Sequence, residues 1–190
     1  MIPESTRQGR RRRVPRRPSL WACVAVAAAA LGAPIVRADD GMDQFKAVYL
    51  YNFAKLTAWP ASAPTDMLTM CFIGASGVRD LIARDVSGKL IGVRRIAVRS
   101  LGASQRADDC SIVYVDAASP QPAMLAAVPA FALTVSDAPD FAQRGGMIEL
   151  YLQGNRLRFI INLDNARAAG LKMSSSLLEL ASKVDQGAPP

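Results

Sequence analysis

The stretch Gly145 to Val184 constrains the fold more than any other part of this chain. Two runs of alternating residues flank Gly154-Asn155, with Ile148, Leu150 and Leu152 on one side of the first and Leu157, Phe159 and Ile161 on one side of the second. A two-residue connection that begins with glycine suits a type II′ turn, whose twist matches that of the strands it joins. The predicted hairpin sets Gln153 opposite Arg156 and Tyr151 opposite Arg158. Glu149 is then diagonal to Arg158, an exchange that supports the register by roughly a few tenths of a kcal/mol. Beyond the hairpin, Asp164 is placed to cap a short helix that Gly170 ends. A last helix opens on a capping box, Ser176 to Glu179, and carries Leu177, Leu180, Ala181 and Val184 at helical spacing.

The front of the chain reads as an export signal rather than as fold. Residues 1–38 hold a basic region from Arg7 to Arg17, an apolar run from Leu20 to Ala33, and Val36-Arg37-Ala38, a small-residue cleavage pattern. The apolar run is shorter than the roughly 20 residues a membrane span needs. Arg16-Arg17 hints at twin-arginine export, but the residues that follow fit general secretion better. Removing the leader also removes the charge. Its eight arginines and one glutamate, taken from 23 basic and 16 acidic residues, leave 15 of each in residues 39–190. The basic pI of 9.8 therefore belongs to the leader, and a nucleic-acid partner loses its electrostatic basis.

Two cysteines remain after export, Cys71 and Cys110. An even pair in an oxidising compartment reads as a structural disulfide. A redox-active pair would favour Cys-x-x-Cys spacing at a helix start, and a metal site would favour histidines, of which the chain has none.

A single domain over residues 39–190 follows from a length of about 150 residues, enough to bury roughly two-thirds of the unfolded surface. Asp39, Asp40 and Asp43 favour a helix start, and Phe45, Val48, Tyr49, Phe53 and Leu56 recur on one face until Trp59-Pro60. Asn52, on that face, is expected to tie the helix to a loop. Met67 to Gly74 and Cys110 to Val115 read as buried strands, Arg94 to Arg99 as a half-exposed strand and Phe131 to Val135 as a further one. Ser76 to Val86, Gln121 to Val128 and Ala138 to Gln143 read as helices. Strands alternating with helices imply an α/β fold, a mixed and largely parallel sheet flanked by helices, with the late hairpin as an antiparallel edge.

The chain offers few groups for catalysis. Gly74-Ala75-Ser76-Gly77 lies where phosphate loops occur, but it matches neither glycine-rich pattern and reads as a plain strand-to-helix turn. Ser174, Ser175 and Ser176 have no histidine to activate them, and a helix cap explains them better than a dyad with Lys172. Asp108-Asp109 reads as a solvated loop rather than a metal site, and Arg94, Arg95 and Arg99 as a solvated strand face rather than an anion site. Neither a catalytic residue, a cofactor nor a metal is expected.

The residues from Lys46 to Lys55 closing on Trp59-Pro60 resemble the N-terminal signature of the YfiR family of periplasmic proteins. Cys71 to Gly74 resembles that family's cysteine-led strand and glycine turn. The C-terminal unit matches furthest, through Gly145-Gly146-Met147-Ile148, Arg158-Phe159, Asn162-Leu163, Ala166, Gly170-Leu171-Lys172 and Ser174-Ser175 leading into Leu177-Leu178 and Leu180-Ala181. The resemblance implies a non-enzymatic periplasmic repressor that restrains a YfiN-like membrane-bound diguanylate cyclase through its periplasmic sensor domain. It also implies a YfiB-like outer-membrane lipoprotein that sequesters the repressor, and it leaves a homodimer open. The consequence would be lower cyclic-di-GMP and less biofilm.

The match has departures. Ile160 stands where the family often has an acid, and Ser176 where a lysine is common. Gly145 and Leu152 lie where some members carry a second cysteine pair, so only Cys71 and Cys110 could link oxidation to stability. Tyr151, Arg158 and Lys172, on exposed sides of the hairpin and helices, are the candidate partner contacts. The alternative is a periplasmic small-ligand-binding protein with Tyr151, Arg158 and Asn162 lining a pocket.

Overall fold

Residues Cys110 to Val115 have no polar face to offer water, and the strand they form is buried along its whole length in this computed structural model. The structure describes residues 38–102, 105–119 and 128–185. In chain order the elements are α1 (Ala38–Leu56), β1 (Thr57–Ala58), β2 (Met67–Ile73), α2 (Ser76–Val86), β3 (Leu90–Ile91), β4 (Arg94–Ser100) and β5 (Cys110–Val115). They continue as β6 (Leu133–Ser136), β7 (Ile148–Gln153), β8 (Arg156–Asn162), α3 (Leu163–Ala168), β9 (Lys172–Met173), α4 (Ser175–Leu180) and β10 (Lys183–Asp185).

Eight strands form one mixed sheet in the order β10-β8-β7-β6-β5-β2-β4-β3, and β1 pairs with β9 in a separate ribbon. The run from β4 through β2, β5 and β6 to β7 is parallel. The sequence places this α/β class correctly. The hairpin forms as expected, with Tyr151 paired to Arg158 and Gln153 to Arg156. Gly154 takes φ +61° while Asn155 keeps a negative φ, the type II′ signature.

Alternation divides the buried residues between the two sides of the sheet. Met70, Phe72, Ile112, Tyr114, Leu150, Phe159 and Ile161 form a core with Leu50 and Phe53 of α1 and with Val78 and Ile82 of α2. Cys71, Ile73, Val113 and Val115 belong to a second cluster with Cys110, Leu101, Ala107 and Ala132. Inside it Cys71 and Cys110 form a disulfide with Cα atoms 5.8 Å apart, closing a sequence separation of 39.

Several local expectations are corrected. The hairpin is not an edge, because Lys183 to Asp185 return parallel to Ile160 to Asn162 and cover β8. Val184 therefore lies in a strand, and Leu180, at the end of α4, is exposed. Ser174, not Ser176, caps α4, its Oγ accepting from the Leu177 amide at 3.2 Å. The cap of α3 is Asn162 rather than Asp164, with Oδ1 accepting from the Asn165 amide at 3.0 Å. Gly170, at φ +75°, ends that helix as anticipated. Glu149 turns away from Arg158 and is buried, accepting from the Asp140 and Ala142 amides at 3.3 and 3.2 Å. Those amides belong to consecutive turns over residues 139–145, in place of the helix expected from Ala138 to Gln143. Asn52 is half-buried and makes no side-chain bond to a loop among the described residues. The predicted helix from Gln121 to Val128 falls almost entirely outside the described residues, as does the proposed leader except at Ala38.

Candidate functional site

The stripe that α1 presents to the sheet is Ala47, Leu50, Phe53 and Ala54, turned about one position from the stripe of largest apolar residues. Phe45 and Val48 consequently stand 59% and 53% exposed. Tyr49, between the two stripes, fastens the helix to the hairpin. Its ring meets Phe159 edge-on at 5.5 Å, and its hydroxyl donates to the Leu157 carbonyl at 3.1 Å.

Two clefts flank this joint. One, of about 280 Å³, is lined by Phe45, Tyr49, Leu157 and the hairpin's Asn155, Arg156 and Arg158. The other, of about 320 Å³, is lined by Met42, Lys46, Asp137, Tyr151, Leu152 and again Leu157. β7 meets β6 only at Ile148 and Glu149, so its residues from Tyr151 onward extend past that neighbour with one edge unpaired. Leu152, expected inside, is 56% exposed there. Arg156 and Arg158 form no ion pair among the described residues, and Arg158 Nε is buried without a hydrogen-bond partner. The joint thus presents apolar side chains beside two uncompensated guanidinium groups.

The crevice beyond the carboxyl ends of β2, β5 and β6 is where parallel α/β sheets commonly take ligands. Here α1 fills it. Lys46 Nζ donates to Asp137 Oδ2 at 2.6 Å and lies 4.0 Å from Asp43. The Asp43 carboxylate leaves no room for a Cβ on Gly77, in the first turn of α2. Tyr114 sits beneath, its buried hydroxyl near Asp137 but without a well-formed hydrogen bond. Burial first, then the negative charge of Asp137 and the approach of the hydroxyl to that carboxylate, then the charge of Asp116 and Asp43, hold its phenol well above the usual range. Gly74 and Ala75 take φ +75° and +32°, and a Cβ on Gly74 would press against Asp116 and Ser119. The loop after β2 is filled by this chain's own side chains.

The candidate residues are not all brought together. Tyr151 and Arg158 are cross-strand partners and line adjoining clefts. Asn162 lines neither of those clefts and is engaged as a helix cap, also donating to the Ala142 carbonyl at 2.9 Å, so the three do not meet in either cleft. Lys172 pairs with Ala58 in the β1–β9 ribbon and bonds to none of Ser174, Ser175 and Ser176 among the described residues. Periodicity alone assigns Phe45 and Val48 to the buried face of α1, whereas both side chains face outward. Their excess over the residues needed to cover the sheet was the available signal.

A family profile described as YfiR/HmsC-like matches residues 43–182. The chain belongs to the YfiR/HmsC-like family. The family is one of periplasmic regulators connected with cyclic-di-GMP signalling. No curated protein matches this YfiR/HmsC-like chain in sequence. Among solved structures it is similar to a conserved domain protein from Vibrio cholerae O1 biovar El Tor str. N16961, at 9% identity and a TM-score of 0.52. That likeness covers 73% of this chain and 60% of the other, and it concerns the fold alone. No helix among the described residues of this YfiR/HmsC-like chain is long and apolar enough to cross a membrane.

Proposed function

We propose that this chain restrains a membrane-bound diguanylate cyclase by binding its periplasmic sensor domain, and so lowers cyclic-di-GMP and biofilm formation. An outer-membrane lipoprotein relieves the restraint by sequestering it. The leader over residues 1–38 carries it to the periplasm and is removed there. Family membership carries this reading.

The α1–hairpin joint is the contact face in this proposal. Phe45, Val48 and Leu152 are the apolar anchors, and Arg156 and Arg158 supply positive charge beside them. Tyr151 lines the adjoining cleft, whereas Lys172 belongs to the separate β1–β9 ribbon. Such a face fits a partner with an apolar patch and acidic surroundings, because charged pairs steer encounter and apolar anchors hold the complex.

The test is genetic and biochemical. Deleting the gene should raise cyclic-di-GMP and surface attachment, and the wild-type chain should co-purify with a cyclase sensor domain. A Phe45→Asp, Arg158→Glu chain should remain folded, fail to co-purify and fail to complement. Unchanged cyclic-di-GMP after deletion, with no sensor domain recovered, would sink the proposal. Light scattering on the same two chains decides whether a second copy also uses this face.

A further inference from the structure

The ladder between β7 and β8 has a fixed phase. Asn162 N–H donates to the Met147 carbonyl at 2.8 Å, and the bonded pairs then alternate through Glu149–Ile160, Tyr151–Arg158 and Gln153–Arg156. Glu149, Tyr151 and Gln153 therefore direct their main-chain groups to β8, and Ile148, Leu150 and Leu152 direct theirs to the β6 side. β6 stops short of that stretch. Its final pair is Ser136 with Glu149, so the Leu152 amide and carbonyl meet no partner among the described residues.

The space where β6 would have run on is open. The cleft of about 320 Å³ lies there, with Asp137 and Pro139 on one side and Glu149 to Leu152 on the other. Met42, Leu157 and the exposed Leu152 give it apolar surface, Leu152 and Leu157 being cross-strand partners. Its charged groups are already answered, because Lys46 donates to Asp137 at 2.6 Å and Glu149 accepts two amides. Leu150 to Gln153 carry no charge that would repel an incoming strand. Free main-chain groups beside an exposed apolar residue are a template for strand pairing. A second copy of the chain fits badly. Setting Leu152 antiparallel to its own equivalent lays Gly154 and Asn155 beside Leu150 and Glu149, where Ser136 already pairs.

We propose that the partner docks on this joint by strand addition: an extended, uncharged segment of the cyclase sensor domain pairs with β7 beyond Glu149. Its main chain bonds the Leu152 amide and carbonyl. Its alternate side chains are apolar and lie against Leu152, Leu157 and Met42. The inference rests on the cyclase restraint proposed above and adds that the joint is read through its main chain.

Leu152→Pro and Leu152→Ala separate main chain from side chain. Both truncate the leucine, but only proline removes the outward N–H and sets a ring against an added strand. Proline is compatible with folding here, because the Leu152 N–H takes no part in the β7–β8 ladder. In calorimetric titration with the purified cyclase sensor domain, Leu152→Ala should weaken binding severalfold, and Leu152→Pro at least about tenfold further. Should the proline chain fail to fold, amide exchange followed by NMR on the wild-type complex decides. The Leu152 N–H should exchange at least about tenfold more slowly with the sensor domain bound. Strand addition is overturned, with cyclase binding left standing, if the folded proline variant binds like the alanine variant or if Leu152 exchanges at an unchanged rate. A wild-type chain that does not bind the sensor domain at all overturns cyclase restraint, and strand addition with it.

Discussion

The Tyr49 hydroxyl donates to the Leu157 carbonyl at 3.1 Å, joining helix and hairpin across 108 positions of sequence. The same ring packs on Phe53 at 5.9 Å and on Phe159 at 5.5 Å, so the hydrogen bond and the aromatic contacts are separable by mutation. Tyr49→Phe keeps the ring and should cost about 1 kcal/mol, the net worth of one hydrogen bond. The urea midpoint should fall with an unchanged slope. A midpoint equal to that of wild type would show that the bond contributes nothing to the joint.

Tyr114 gives the opposite expectation, because its buried hydroxyl lies near Asp137 without a well-formed hydrogen bond. Tyr114→Phe should leave stability at neutral pH unchanged or raise it by about 1 kcal/mol, since an unsatisfied polar group is removed. Its pH dependence has a defined sign. The folded-state pKa is raised above the unfolded value of about 10, so this contribution is present below that pH and is lost as pH climbs beyond it. Urea titrations of both chains at neutral pH and at about pH 10.5 should show a smaller alkaline loss for the phenylalanine variant. A large loss at neutral pH would mean that the hydroxyl is bonded after all.

Both disulfide sulfurs belong to residues with no exposed surface. A double Cys71→Ala, Cys110→Ala chain should lose about 4 kcal/mol in the chain-entropy account of a bond spanning 39 positions. Thermal melting measures the loss. In the wild-type chain, reductant should release the thiols only as fast as the second core opens, so thiol appearance should accelerate steeply in sub-denaturing urea. Immediate release without urea would contradict the burial.

Gly146 has an ordinary backbone conformation, but an added Cβ would overlap the Phe141 ring, which is fully buried. Gly146→Ala should therefore destabilise by about 1–3 kcal/mol through overpacking. The companion Gly145, at φ +100°, has open space around its missing Cβ, so Gly145→Ala acts through backbone strain alone. Comparing the two melting temperatures separates crowding from strain at adjacent positions. Rescue of Gly146→Ala by Phe141→Leu would identify the ring as the obstacle.

Sequence patterning was informative where period and chemistry agreed. The hairpin register was readable because strict alternation meets a turn that only Gly154-Asn155 could make. α2 was readable to the residue because Gly74 marks its start and its apolar spacing is regular. The orientation of α1 was not, because Ala47 and Ala54 carry little hydropathy signal although they are the residues that fit against the sheet. Phe45 and Val48 outweighed them in the pattern and proved to face outward. β1, β3 and β9 have two residues each, too few to show a period, and β10 hid inside an apparent helical repeat. Within the candidate site, Tyr151 and Arg158 were visible as hairpin residues.

The disulfide has a consequence for how the chain survives damage. α2, β3 and β4 all lie between its two cysteines, inside one covalent ring. A protease that cuts once between residues 72 and 109 opens that ring without releasing a fragment, and the two pieces stay in register through β2 and β5. A single cut elsewhere in the chain separates it into two covalently independent parts. Oxidised, this half of the sheet can be nicked and still be one molecule.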